Sequence, residues 1–289
     1  MDGIETGFST HKCCPNFNSK RALYRSYVDN ADILLSSSDA IATITLNRPD
    51  KINSFTRKMH RQLASALNSA AHDEAVRAIV IKGAGRGFCA GQDLADLSMN
   101  PNDPTDLGDL VGDFFNPLVL QIQELPKPVV AQVHGIAAGA GANLALACDL
   151  VIAADTAQFL QAFVNIGLMP DSGGTWFLPH LVGKQRAMGL ALLGEKLSAS
   201  DAAAWGLIWQ SVAADQLDAA VLSCASRLAK LPPRALAQIK QAILAAPSAT
   251  LAAQLLREQR EQSHLGRSAD YFEGVNAFLE KRPAAFTGA

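Results

Sequence analysis

The sequence predicts an α/β fold with a helical C-terminal part, on three observations. AIATITLNRP, residues 40–49, alternates apolar and polar positions with β-branched residues and stops at Pro49, as a strand does. A stretch at helical spacing follows, and RAIVIKG (77–83) then gives a second, mostly buried strand; strand, helix and strand on this scale imply a layered core. From about Gly183 onward, nearly every segment carries the apolar period of an amphipathic helix.

The elements follow in order. Thr56 is placed to cap the first helix, and Met59, Leu63, Ala66, Leu67 and Ala70 recur on one face of it. GAGRGFCAGQDL (83–94) is a glycine-rich loop, and SMNPNDPTDLGD (98–109) is polar, contains proline and has no period. A helix is expected from about Gly112 to Glu124, leading through LPKP to a third strand, VVAQV. HGIAAGAGANLALACDLVIAAD (134–155) reads as a glycine turn, a helix of small apolar residues and a fourth strand at DLVIAA. Six helical segments come after: KQRAMGLALLG, SASDAAAWG, LDAAVLSCASRLAKL, PRALAQIKQAIL, LAAQLLREQREQ and YFEGVNAFLEKR. The expected division is a polar extension over residues 1–30, an α/β core over 31–220 and a helical region over 221–289.

Composition excludes several function classes. The chain has 289 residues, with 25 Lys and Arg against 27 Asp and Glu, so no positive field exists to hold a phosphate backbone, and nucleic acid is not an expected partner. Five cysteines, scattered and without CxxC spacing, suggest neither a disulfide framework nor a zinc site; a reducing cytoplasm is expected. MDGIETGFSTHKCCPNFNSK lacks the basic and apolar regions of a secretory signal, and no stretch reaches the roughly 18 apolar residues a membrane span needs.

Several motifs carry possible chemistry, each beside a plainer reading. GAGANL (139–144) resembles a dinucleotide fingerprint, but Leu144 stands at the third glycine and the next acid, Asp149, comes only eight residues after Gly141. The same glycines still open a helix, whose free N–H groups and dipole favour an anion. A second glycine turn at CAGQD (89–93) could add a further N–H, and two converging donors make an oxyanion hole. Spacing alone leaves that reading level with two tight turns. The six histidines share no ligand spacing, and no metal is expected. His134 at a strand end reads as a structural hydrogen bonder, and Cys89 as packing. Ser172 lacks the GxSxG setting of a nucleophile. Asp171, in MPDSGGT, is either a turn residue or a functional acid.

Taken together, ITLNRPDKINSF, RGFCAGQDL, KPVVAQVHGIAAGAGANLALACDLVIA and GLMPDSGGTWFLPHLVG resemble the enoyl-CoA hydratase/isomerase (crotonase) family, from about Asp39 to the C-terminus. The resemblance implies a crotonase-like spiral of ββα units with a helical C-terminal part that makes homotrimers or hexamers. It implies an acyl-CoA thioester as substrate, with no cofactor, since coenzyme A is part of the substrate. By motif position, the backbone N–H groups of Gln92 and Ala140 would hold the thioester oxygen. Ala90 would lie near the CoA adenine, and Ile52, Gly91, Asp93, Leu94, Gly139, Asn143, Phe163 and Pro170 would line the substrate site. Family hydratases carry two glutamates that activate water; here Asn143 and Phe163 stand at those positions. Asp171 is then the one matched acid, and MPDSGGT most resembles the ring-1,2-epoxyphenylacetyl-CoA isomerase subgroup. Phe163, Ile166, Leu168 and Met169 are expected to form an apolar neighbourhood that raises the Asp171 pKa. Acyl-CoA isomerisation is the leading expectation. Hydratase or lyase chemistry with an Asn143-bound water, and a non-catalytic acyl-CoA-binding subunit, remain the alternatives.

Overall fold

A computed structural model describes residues 31–98, 100 and 102–289; the expected polar extension over residues 1–30 lies outside the described residues. The chain opens with β1 (Ile33–Ser38) and β2 (Ile41–Leu46), passes through α1 (Arg57–His72) and returns as β3 (Ala78–Gly83). Thr56 caps α1 by accepting a hydrogen bond from the Met59 amide, and the five apolar positions expected on its inner face are buried. β1 has no counterpart among the expected strands. It ends in three serines and lies at a sheet edge with most of its residues exposed, so alternation could not mark it.

The expected helix at 112–124 starts earlier. α2 (Leu107–Leu110) is capped by the Asp106 carboxylate, a wide π turn follows over Val111–Phe115, and α3 (Asn116–Glu124) completes the run. The cap at Asp106 sits inside what reads in sequence as a polar loop, which hides the start. β4 (Val129–Val133), β5 (Ile136–Ala138), α4 (Ala140–Ala147), β6 (Leu150–Ala154) and β7 (Gln158–Leu160) come next. α5 (Gly174–Leu193) bends where Gly183 leaves helical geometry, and β8 (Lys196–Ser198), α6 (Ala199–Ala204) and β9 (Gln210–Val212) complete the mixed region. β5, β7, β8 and β9 are three residues each, too short to show a period.

Two sheets result. The larger runs β1-β2-β3-β4-β6-β9, parallel except for the β1–β2 hairpin; the smaller runs β5-β7-β8. α7 (Leu217–Lys230) packs on β3, β4 and β6, and the expected boundary at residue 220 falls inside it. α8 (Pro233–Ala245), α9 (Leu251–Leu265) and α10 (Ala269–Glu280) follow. The buried Lys240 ties α8 to the core, donating at 2.9 Å to Asp149 and at 2.8 Å to the Ile122 carbonyl. Asp149 also accepts from the Val129 amide at 2.7 Å, so the acid after GAGANL has a structural partner. Among the described residues, no helix is long and apolar enough to cross a membrane.

Candidate active site

The two glycine turns, 50 residues apart in sequence, are laced together by backbone. Cys89 donates to the Ile136 carbonyl at 3.2 Å, and its own carbonyl accepts from Ala138 at 2.9 Å. A methyl on Gly91 would stand 3.0 Å from the Ala138 oxygen and 3.4 Å from the Ala140 nitrogen, and its φ of 93° is one that side chains avoid. The neighbouring Gln92 amide therefore lies beside the first turn of α4. Among the described residues, neither the Gln92 nor the Ala140 N–H donates a hydrogen bond. Ala140 opens an eight-residue helix after Gly139, whose φ of 52° and ψ of −129° suit only glycine. Two free donors on adjoining turns, one at a helix N-terminus, can together receive one oxygen that gains negative charge.

Each flank of the CAGQD turn is pinned to the chain after β2. Phe55 donates to the Gly91 carbonyl at 2.7 Å and accepts from Asp93 at 2.9 Å, and Ala90 donates to the Ile52 carbonyl at 2.9 Å. Sequence reasoning passed over the two residues that build this brace. Asn53, fully buried at φ 54°, accepts from the Arg48 amide, and its own amide reaches the carbonyls of Ala84, Gly87 and Phe88 at 2.9–3.0 Å. Arg48 holds the Asp93 carboxylate at 2.8 Å. The asparagine's left-handed backbone is a turn signal of its type, whereas nothing local marks Arg48.

The carboxylate of Asp93, a residue expected to line the substrate site, is engaged by Arg48 and by the Ala95 amide. Burial alone would raise its pKa, but the Arg48 and Ala95 hydrogen bonds and the Arg48 and Lys51 charges outweigh it and hold the group below the ordinary range. Leu94 is exposed, and Ile52 is half-buried in a left-handed conformation at φ 48°. Behind the turn, Phe55 stacks on His60 at 4.5 Å, and Phe115 meets the same ring edge-on at 4.2 Å. Burial holds that histidine down to about 4, so it is neutral at ordinary pH.

Phe163 is buried, its ring 3.7 Å from where a methyl on Gly139 would stand. Asn143, one turn into α4, is fully buried and both ends of its amide have protein partners: Nδ2 donates to the Asp171 carbonyl at 2.8 Å and Oδ1 accepts from Gln161 at 2.8 Å. These bonds make Asn143 a brace for the turn that carries Asp171. Gln161 went unnoticed because it lies in an apolar run with only an ordinary amide to mark it.

Asp171 itself is half-buried after Pro170. Burial raises its pKa, and a 2.7 Å hydrogen bond from the Ser172 hydroxyl draws it partly back. The direction and its cause, desolvation, are the expected ones, but the residues expected to supply it are not all buried. Ile166, Leu168 and Met169 are 57%, 41% and 70% exposed, so of the four residues expected to dry the acid only Phe163 is buried. The short 3₁₀ helix Ala162–Ile166 ends at a left-handed Gly167, and Val164 through Met169 face outward. The expected hydrogen-bonding His134 does bond, its Nε2 lying 2.8 Å from the Gly85 carbonyl. Burial pushes the Cys89 thiol up to about 12 against a weaker opposing contact from Gly91, which fits a packing role.

Residues 36–289 match the family profile described as enoyl-CoA hydratase/isomerase. The chain belongs to the enoyl-CoA hydratase/isomerase family. It is 52% identical over 257 residues to the 1,2-epoxyphenylacetyl-CoA isomerase of Escherichia coli (strain K12), covering 89% of this chain and 98% of that protein. It is 49% identical over 251 residues to a protein of Rhodobacter capsulatus named "Probable enoyl-CoA hydratase", covering 87% and 96% of the two. A 2,3-dehydroadipyl-CoA hydratase of Escherichia coli (strain K12) is 34% identical over 258 residues, covering 89% and 99%. Among solved structures, an enoyl-CoA hydratase from Bacillus anthracis superimposes with a TM-score of 0.85 at 30% identity, covering 90% of this chain and 100% of that one. The crotonase fold expected from the sequence is therefore the observed one. Isomerases and hydratases of this enoyl-CoA family share its scaffold, so the chemistry has to be argued from the side chains present.

Proposed function

We propose that this chain is an acyl-CoA isomerase that shifts a double bond, or opens and rearranges a ring epoxide, in a CoA thioester. The observation that carries this reading is the single acid. Asn143 and Phe163 stand where the family's hydratases hold water-activating glutamates, and Asn143 is already bonded at both ends of its amide. Asp171 is left, with burial raising its pKa toward the range in which a carboxyl can both take and return a proton.

In the double-bond shift, Asp171 takes a proton from one carbon of the acyl chain. The electron pair of that C–H bond moves into the thioester and charge collects on its oxygen. The Gln92 and Ala140 N–H groups receive that charge, helped by the N-terminal dipole of α4. The enolate then recovers the proton from Asp171 at a different carbon. Ala90, Ile52 and Gly91 would border the CoA portion, and Gly139, Phe163 and Pro170 the acyl portion, with Phe163 excluding water from the enolate.

Assays of Asp171→Asn with a β,γ-enoyl-CoA and with the ring epoxide of phenylacetyl-CoA test the reading. Turnover of every accepted substrate within tenfold of wild type would sink it. Hydration is the second reading, favoured by the 49% identity to the Rhodobacter capsulatus protein. Product formed in heavy-oxygen water decides between them, because an isomerase takes up no solvent oxygen. Tight CoA-ester binding without solvent exchange at either carbon would instead point to a binding subunit.

A homotrimer or hexamer fits the C-terminal helices, and a cytoplasmic setting fits the five scattered cysteines. Ile243, Leu255, Leu256 and Phe272 are exposed on α8, α9 and α10, and a cleft of about 500 Å³ between these helices is lined by Ile239, Leu265, Val275, Phe278 and Leu279.

A further inference from the structure

The proton shuttle proposed for Asp171 needs a carboxyl held in one orientation without being locked into its ionised form. The turn that carries it is built from neutral groups. The Asp171 carbonyl accepts from Asn143 Nδ2 and from the Gly174 amide, both at 2.8 Å, and Asn143 is steadied in turn by Gln161. These bonds fix the main chain. Among the described residues the side chain has one partner, Ser172, whose buried hydroxyl lies 2.7 Å from Oδ1. Among the described residues, nothing donates to Oδ2.

The backbone at Ser172 is costly. Its φ is 52°, followed by Gly173 at 80°, and a residue with a side chain is strained in that left-handed region. Glycine would fit this position without strain, so the turn alone does not call for serine. A side-chain role gives the strained residue a physical reason.

We propose that Ser172 is the positioning residue for Asp171, its hydroxyl engaging Oδ1 so that Oδ2 is the one oxygen that takes and returns the proton. The inference rests on the shuttle reading above. In the first step the substrate C–H bond breaks, Oδ2 gains the proton and the electron pair passes to the thioester oxygen. In the second step the enolate pair forms the new C–H bond and Oδ2 is left as carboxylate. Ser172 donates to Oδ1 throughout and neither gains nor loses a proton. A lysine or arginine here would hold the acid ionised, whereas a hydroxyl draws its pKa down only in part.

The test uses the full chain with Ser172→Ala and Ser172→Gly beside Asp171→Asn. Removing the hydroxyl withdraws a bond that favours the charged form, so in both serine variants the acidic limb of the kcat/KM profile should move up by about one pH unit. In the range left below the new limb, kcat should fall about tenfold with KM within twofold of wild type. Ser172→Gly keeps a backbone suited to φ 52° and so remains folded. If it shows the wild-type profile while Ser172→Ala does not, the position serves only the turn and the proposal fails. A limb that stays in place in both variants overturns it as well. Failure of the shuttle reading is separate, because it appears as surviving turnover in Asp171→Asn whatever the serine variants do.

Discussion

The CAGQD loop and the PDSGGT turn each present an aspartate, and the two are treated in opposite ways. Asp93 is held by Arg48 at 2.8 Å, and its pKa falls below the ordinary range even though burial opposes this. Among the described residues, the Asp171 carboxylate has only a hydroxyl beside it, and burial raises its pKa. Under the function proposed above, the difference follows from what each loop would have to keep constant. The CAGQD loop must fix an amide nitrogen, so a permanent charge pair is a suitable brace. The PDSGGT turn must leave its acid free to change charge, so its braces are neutral.

Asp171→Asn tests that comparison most severely. It should lower kcat at least a hundredfold while the fold is retained. The sign of its stability effect is also set. A carboxyl whose folded pKa lies above its unfolded value, about 4, destabilises the folded state at every pH above the folded value, and the penalty fades as pH falls through the two values. The asparagine variant should therefore be at least as stable as wild type at pH 7 and lose that advantage below about pH 4, as read by urea melts at both pH values.

Asn53→Ala should have the next largest effect, on the other loop. It removes the partner of the Arg48 amide and of three carbonyls in residues 84–88, and is expected to cost about 3 kcal/mol in denaturant unfolding. A loss below about 0.5 kcal/mol would mean the loop is held by its backbone pairing alone.

Arg48→Met separates charge bracing from packing. A cost of about 1–2 kcal/mol at pH 7 is expected for this partly exposed pair, with kcat/KM down about tenfold as the Gln92 amide loosens. Because Asp93 has a lowered folded pKa, the contribution is present above pH 4 and lost as pH falls through that folded value. The gap between variant and wild type should close in acid. An equal gap at pH 7 and pH 3 would contradict the charge account.

The smallest effect expected is at Cys89, between the same loops. With its thiol pushed up to about 12, roughly one molecule in ten thousand carries a thiolate at pH 8. Iodoacetamide should leave the Cys89 peptide unlabelled in the folded protein, by mass spectrometry, and label it once urea opens the core.

Much of the fold was legible because its long elements carry strong periods. α1 shows its cap and five buried positions in sequence, and β3, β4 and β6 read as short apolar runs. The three-residue strands and the edge strand β1 left no such trace. Of the site, both glycine turns and the position of Asp171 could be read from motif order, since glycine and proline restrict the backbone wherever they occur. Arg48, Asn53 and Gln161 could not be read as braces. Their partners lie as far as 45 residues away, and a polar side chain does not announce which carbonyl or carboxylate it will meet.

By itself the sequence determined the α/β layering, the helical ending, the family and the lack of a carboxylate at positions 143 and 163, because these depend on residue type and local spacing. Only the tertiary structure decided that Asp93 is a structural ion-pair partner, that Asn143 is bonded at both ends, that Ile166, Leu168 and Met169 face outward, and that Ser172 touches the acid. Each of these depends on which groups meet across the fold and how much water is left between them. That is set by how the chain after β2 packs on the CAGQD loop, that loop on the start of α4, and α4 on the PDSGGT turn.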